Sequence, residues 1–354
     1  MNRHFLTTIL IIYITLFLFA SGCSEEEVQT DTPETDNIPE QDDTLIPEKE
    51  ISEETVQIGI LQFADIPALD SAREGIMEAL AYEGFIEGEN LTVLYQNANG
   101  DFEECIAISE FFVEAGVDII IATATPAVQA AAKVAKETPV VFAAVTDPQR
   151  AGVVESWERP GANVTGVSDL NPVGALLEMV LAIVPTAKKF GVIYNANEVN
   201  SVVQVEISRR IAEEIGIEII EAPVEHAGEV RRAAAGLASK ADIIWVPSDN
   251  TIMSTFDTVV EEIAAKDKMA FGANIEFAEM GAVCAIGFDY FELGLQAGVM
   301  VARVIRDADP AEMPVQVPTE IHIAINLAMA EKIGYKIPFE VLLVADEIFM
   351  ATIP

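Results

Sequence analysis

The chain repeats itself, and that repeat limits its possible folds more than any other feature. From position 58 it runs through a strand (IGILQF, 58–63), a helix (about 68–82), a strand (NLTVLYQ, 90–96), a helix (102–115) and the segment VDIIIATATPAVQAAA (117–132). From position 190 the order returns: FGVIYN (190–195), a helix (about 199–215), IEIIEAP (217–223), a helix (229–239) and ADIIWVPSDNTIMSTF (241–256). Each half then adds a strand, within TPVVFAAVTDP in the first and KMAFGANIEFA in the second. Strands that are apolar throughout, alternating with amphipathic helices, belong to parallel sheets covered on both faces. The expected fold class is therefore α/β, with two doubly wound parallel-sheet lobes.

The stretch 140–169 lies where the two units meet. It ends one strand at Thr146-Asp147-Pro148, passes Pro160-Gly161, and ends a second strand at Ser168-Asp169. Two further passages between lobes are expected, at Gly287-Phe288-Asp289-Tyr290 and around Pro318, and three passages make a hinge. The expected lobes are 56–168 with about 290–317, and 169–289 with about 318–345.

In doubly wound sheets ligands bind at the carboxyl ends of the strands, so two lobes facing each other by those edges would enclose a cleft. The turns there are polar in both halves. In the first they are Gln62-Phe63-Ala64-Asp65, Thr123 to Pro126 and Thr146-Asp147; in the second, Asn195 to Ser201, Ser248-Asp249-Asn250 and Gly272-Ala273-Asn274. Thr125 and Asn250 are expected as helix N-caps.

Ahead of the body, 1–22 reads as an export signal: a short basic start, an apolar run from Phe5 to Phe19, and Ala20-Ser21-Gly22 before Cys23. That is the lipobox pattern of bacterial-type lipoproteins, with Cys23 as the lipidation site and the mature protein tethered to the membrane. Residues 24–55 hold 13 acidic residues, Lys49 and three prolines, a composition expected of a disordered tether. With that segment and Arg3 set aside, the body still carries about 27 excess negative charges. Such a charge argues against nucleic acid as a partner.

Several of these segments together resemble a known family, the ABC transporter substrate-binding proteins of the tryptophan/tyrosine type. The resemblance is carried by ATATPAVQAAA (122–132), VTDPQRAGVV (145–154), GANVTGVSD (161–169), GVIYNANEVNS (191–201), VPSDNTI (246–252) and GFDYFELGLQAG (287–298), and it covers nearly all of 56–340. It implies the type 1 periplasmic-binding fold and capture of a small amino acid-like ligand, delivered to an ABC permease with a cytoplasmic ATPase. Family members often carry His-Pro where this chain has Ile66-Pro67.

An α-amino acid needs donors for its carboxylate and acceptors for its ammonium. Thr125, Thr146, Ser201 and the amides after Ser248 suit the first. Asp147, Asp169 and Asp249 suit the second, with Glu198 behind them. Asn195, Asn200, Asn250 and Asn274 complete the polar set together with Gln62, while Phe63, Tyr194, Phe288 and Tyr290 could flank an apolar or aromatic side chain. A sugar or nucleoside receptor of the same fold is the second reading, and a cofactor-independent amino acid racemase the third. The racemase would need Cys105 and Cys284 at turns, whereas they fall within a helix and a strand. His226 and His322 have no metal-ligand spacing, so neither a metal nor another cofactor is expected. The expected product is a monomeric, extracytoplasmic, lipid-anchored binding protein.

Overall fold

The computed structural model describes residues 55–350. The export signal, Cys23 and all of the tether except Thr55 lie outside the described residues.

The first half forms β1 (Val56–Gln62), α1 (Pro67–Tyr82), β2 (Leu91–Asn97), α2 (Phe102–Glu114), β3 (Ile119–Thr123), α3 (Thr125–Val134), β4 (Val140–Ala143) and β5 (Val164–Val167). These strands make one parallel sheet in the order β2-β1-β3-β4-β5. The second half forms α4 (Val173–Ile183), β6 (Lys189–Asn195), α5 (Val199–Ile215), β7 (Glu218–Val224), α6 (Val230–Ala238), β8 (Ile243–Val246), α7 (Asn250–Met253), α8 (Phe256–Ala264), β9 (Met269–Gly272), α9 (Glu276–Glu279) and β10 (Cys284–Gly287). Its strands lie in the order β7-β6-β8-β9-β10, which is the order of the first sheet repeated. The duplication read in the sequence is thus a duplication of topology.

Elementary signals set the element ends. Asp101 caps α2 by accepting from the backbone N–H groups of Glu103 and Glu104, and Gly216 ends α5 in the left-handed conformation that glycine adopts without penalty. β3, β4, β8 and β9 are buried along their whole length, as strands covered by helices on both faces must be. Phe112 and Phe142 help to fill the first core; Phe190, Trp245 and Phe271 help to fill the second.

The chain passes between the sheets three times. It leaves the first sheet after β5 through 168–172. It returns after β10 as α10 (Tyr290–Ile305), which packs along α1 of the first lobe. There the Cβ of an alanine at Gly294 would lie 2.1 Å from the Ala72 carbonyl oxygen, so the two helices approach through glycine. The third passage runs beside β5, where Gln316 exchanges backbone hydrogen bonds with Gly166 and Ser168, and ends in β11 (His322–Asn326).

Four details differ from expectation. β11 pairs antiparallel with β10. After α11 (Leu327–Lys332) and α12 (Phe339–Leu342), a further strand, β12 (Glu347–Phe349), pairs with β11 at the sheet edge. Helix α4 opens the second lobe without a counterpart in the pattern read from sequence. β4 stops at Ala143, two residues early, because Ala144 takes a φ of 59°.

Candidate functional site

Between the carboxyl ends of the two sheets lies a cleft whose empty space, open solvent at its mouth included, is about 310 Å³. The first lobe lines it with Ile66, Ala68 and Leu69 at the start of α1, Thr125 at the start of α3, and Ala144 and Thr146 after β4. The second lobe contributes Asn200 in α5, Ser248, Asp249, Asn250 and Met253 around α7, and Asn274 after β9. Asp169 and Tyr290, from the first two passages between lobes, close it.

Two non-glycine residues at strand ends hold positive φ here, Ala124 at 80° and Ala144 at 59°. Each such conformation costs on the order of 1–3 kcal/mol, and it persists only where the surroundings enforce it. One consequence concerns Thr125. Ala124 takes the N-cap position with no side-chain bond, so Thr125 is not the cap expected of it. Its hydroxyl is buried and without a hydrogen-bond partner. Likewise Asp249, and not Asn250, caps α7, accepting from the Ile252 N–H.

Of the residues expected at the site, Thr125, Thr146, Asp169, Asn200, Asp249, Asn250 and Asn274 meet around this one cavity. Glu198, Asn195 and Ser201 lie one layer behind. Glu198 accepts from Asn200 Nδ2, from the backbone N–H and side-chain amide of Asn250, and from the N–H and hydroxyl of Thr251. Ser201 Oγ and the Asn195 N–H both donate to Asp249 Oδ2 at 2.6 Å. These residues therefore orient the lining and do not form it.

Four expected residues sit elsewhere. Gln62 donates to the Ala64 carbonyl and to Asp70 and accepts from Arg73, so its side chain is spent inside the first lobe. Phe63 belongs to that lobe's core. Asp147 accepts from the Arg150 N–H and holds its own turn. Tyr194 shares a core cluster with Phe190 and Val192, since alternate residues of a strand point the same way. Its hydroxyl donates to Glu221, which Arg209 also holds. Phe288 does not line the cavity either, which leaves Tyr290 as the aromatic residue of the lining. The residues not anticipated, Ala68, Leu69, Ala144 and Met253, are apolar or small. Only the position of Ile66-Pro67 at a helix start hinted at that wall.

No residue lining the cavity is Lys, Arg or His. Burial raises the Asp169 carboxyl above its ordinary range, despite hydrogen bonds from the Tyr290 and Thr146 hydroxyls. Burial, and then the neighbouring Glu198 charge, raises Asp249 well above it. The arrangement suits a small molecule bearing a positive group. Cys105 and Cys284 are buried free thiols that do not line the cavity, and burial pushes the Cys105 thiol up to about 12. Among the described residues, Glu292, Glu320 and His322 bring metal-type ligand atoms within 4.8 Å of one another, and none of them lines the cavity.

The sequence model of the family described as "ABC transporter substrate binding protein" matches residues 57–349. A "Tyrosine-binding protein" from Clostridioides difficile (strain R20291) is 37% identical over 276 residues, 78% of this chain and 80% of that protein. The structure of an ABC domain in complex with L-Trp from Streptococcus pneumoniae is 35% identical with a TM-score of 0.81, covering 84% of this chain and 100% of that one. The ligand-free, open structure of a substrate-binding protein with adhesive properties from Clostridium difficile is 32% identical with a TM-score of 0.66, again covering 84% and 100%.

Proposed function

This chain belongs to the family of ABC transporter substrate-binding proteins, and on that premise we propose that it captures an aromatic amino acid between its lobes and delivers it to an ABC permease driven by a cytoplasmic ATPase. It works outside the cytoplasm, held to the membrane by a lipid on Cys23, as a monomer that makes and breaks no bond in its ligand.

One observation carries the reading. A single cavity holds two buried polar atoms without partners, Thr125 Oγ1 from one lobe and Asn200 Oδ1 from the other. Buried polar groups are hydrogen-bonded in nearly all native proteins, and a ligand spanning both lobes would supply a partner to each of these two atoms. Ile66, Leu69 and Met253 offer an apolar wall for a side chain. The relatives that bind tyrosine or carry L-Trp support an aromatic one. At nearly equal identity, the chain is nearer in shape to the L-Trp complex than to the open ligand-free structure, as a bound-like lobe arrangement would be.

Calorimetry with the twenty amino acids and a set of sugars and nucleosides tests this. Saturable binding of L-tryptophan or L-tyrosine is expected. Binding of a sugar or nucleoside alone would replace the reading, and exchange of the ligand's α-proton with solvent would revive the racemase.

A further inference from the structure

The two ends of the cavity lack opposite partners. At the first-lobe end the unpaired Thr125 hydroxyl stands in the first turn of α3, a helix of ten residues whose leading N–H groups and dipole favour negative charge. At the second-lobe end, Asn200 has committed its Nδ2 to Glu198, to the Ser201 hydroxyl and to the Ser248 carbonyl, while its Oδ1 accepts from nothing. That oxygen wants a donor.

Beside it stand two carboxylates, Glu198 at 5% exposure and Asp249 at 2%. Every hydrogen bond that Glu198 accepts comes from a neutral amide or hydroxyl. The same holds for Asp249, whose donors are Asn195 N–H, Ser201 Oγ and Ile252 N–H. The titratable groups that face Asp249 are Glu198 from the loop before α5 and, among the cavity lining, Asp169 and Tyr290; none of them is cationic. Burying a charge without a counter-charge costs several kcal/mol, and a protein commonly avoids this by keeping the group protonated.

We propose that the corner formed by Asn200 and Asp249, with Glu198 behind it, receives the cationic nitrogen of the captured ligand, and that Asp249 gives up a proton to solvent as that nitrogen arrives. This rests on the reading of the cavity as an amino acid site. The ammonium donates to Asn200 Oδ1 and replaces the proton as the positive charge beside the carboxylate pair. One proton leaves to bulk water, and no covalent bond of the ligand changes. The ligand's carboxylate then lies toward Thr125 and the start of α3. Two consequences follow. Affinity rises with pH while Asp249 is still protonated in the empty protein, by up to about tenfold per pH unit. Ligands whose nitrogen is acylated, and so uncharged, are refused.

The test is calorimetry of the purified protein with L-tryptophan and L-tyrosine near neutral pH, in phosphate and in Tris, buffers whose heats of ionisation differ. The difference in heat gives the protons exchanged. Release of a substantial fraction of one proton is expected, shrinking toward zero at alkaline pH. In Asp249→Asn the release should vanish. In Glu198→Gln it should shrink, because the neighbouring charge that retains the proton is gone; this variant decides if Asp249→Asn does not fold. N-acetyl-L-tryptophan should not bind. Binding of either amino acid without proton release, or a release that persists in Asp249→Asn, overturns the proposal and leaves the binding site standing. If neither amino acid binds, the proposed function fails first and this proposal with it.

Discussion

The Tyr290 hydroxyl donates a 2.5 Å hydrogen bond to Asp169 Oδ2, across 121 positions of sequence. Asp169 belongs to the first passage between lobes and Tyr290 opens the second, so this bond joins two parts of the hinge at the edge of the cavity. Thr146 donates to the other oxygen of the same carboxyl at 2.9 Å.

Tyr290→Phe removes one of those donors and leaves a buried acceptor unpaired, which costs about 1–3 kcal/mol. Urea unfolding should show a lower midpoint at an unchanged slope. An unshifted midpoint would mean that the bond adds nothing to the fold.

Thr125→Val separates binding from stability. The hydroxyl has no partner in the empty protein, so its replacement by a methyl group of like shape should leave the melting temperature unchanged or raise it. A ligand that bonds to it should bind about tenfold more weakly, for a loss of ~1.4 kcal/mol. Loss of stability with intact affinity would place the hydroxyl outside the site.

Tyr194→Phe should do the reverse. It removes a hydrogen bond to Glu221 of the neighbouring strand β7 and should cost about 1 kcal/mol of stability, with ligand affinity unchanged. A clear fall in affinity would bring Tyr194 back to the cavity.

At Gly294→Ala the new methyl group meets the Ala72 carbonyl at 2.1 Å, and a methyl at Gly75 would meet the Phe291 carbonyl at the same distance. Alanine gains up to about 1 kcal/mol of helix propensity, but backbone cannot swing aside as a flexible side chain can, so a net loss of about 1–3 kcal/mol is expected. Circular dichroism during thermal unfolding measures it.

Stability should fall as pH rises from mildly acidic to alkaline. Burial raises Glu276 to about 8, and it also raises Asp169 and Asp249. An acid whose pKa is raised in the folded state adds stability that is complete below its unfolded pKa and lost as pH climbs through the folded one. The ligand-free protein should therefore melt higher near about pH 5 than near about pH 9, a window set by the ordinary carboxylate range and these raised values. Glu276→Gln should flatten part of that slope, since its Oε2 is buried without a partner. A melting temperature that climbs over this window would contradict the assignment.

Much of this molecule was legible in its sequence. The doubled order of strands, the polar turns and nine of the lining residues follow from local pattern: apolar runs mark covered strands, and Pro or Asp after them marks the turn. Other assignments failed for identifiable reasons. Tyr194 and Asn195 are adjacent in one motif, yet strand alternation sends the first side chain toward the core and Glu221 and the second toward the Thr251 hydroxyl. Ala124, at a φ of 80° that no propensity of alanine would suggest, takes the N-cap position expected of Thr125. Glu198, expected behind the aspartates, holds Asn200, Asn250 and Thr251 in place through bonds that no local pattern gives.

The sequence by itself therefore determined the architecture, because burial pattern and turn chemistry are properties of neighbouring residues. Only the tertiary structure decided which polar atoms stay unpaired and which carboxyls lie buried without a cation. That outcome turns on partners brought together from distant positions, as Asn195 and Ser201 are with Asp249, or Asp169 with Tyr290.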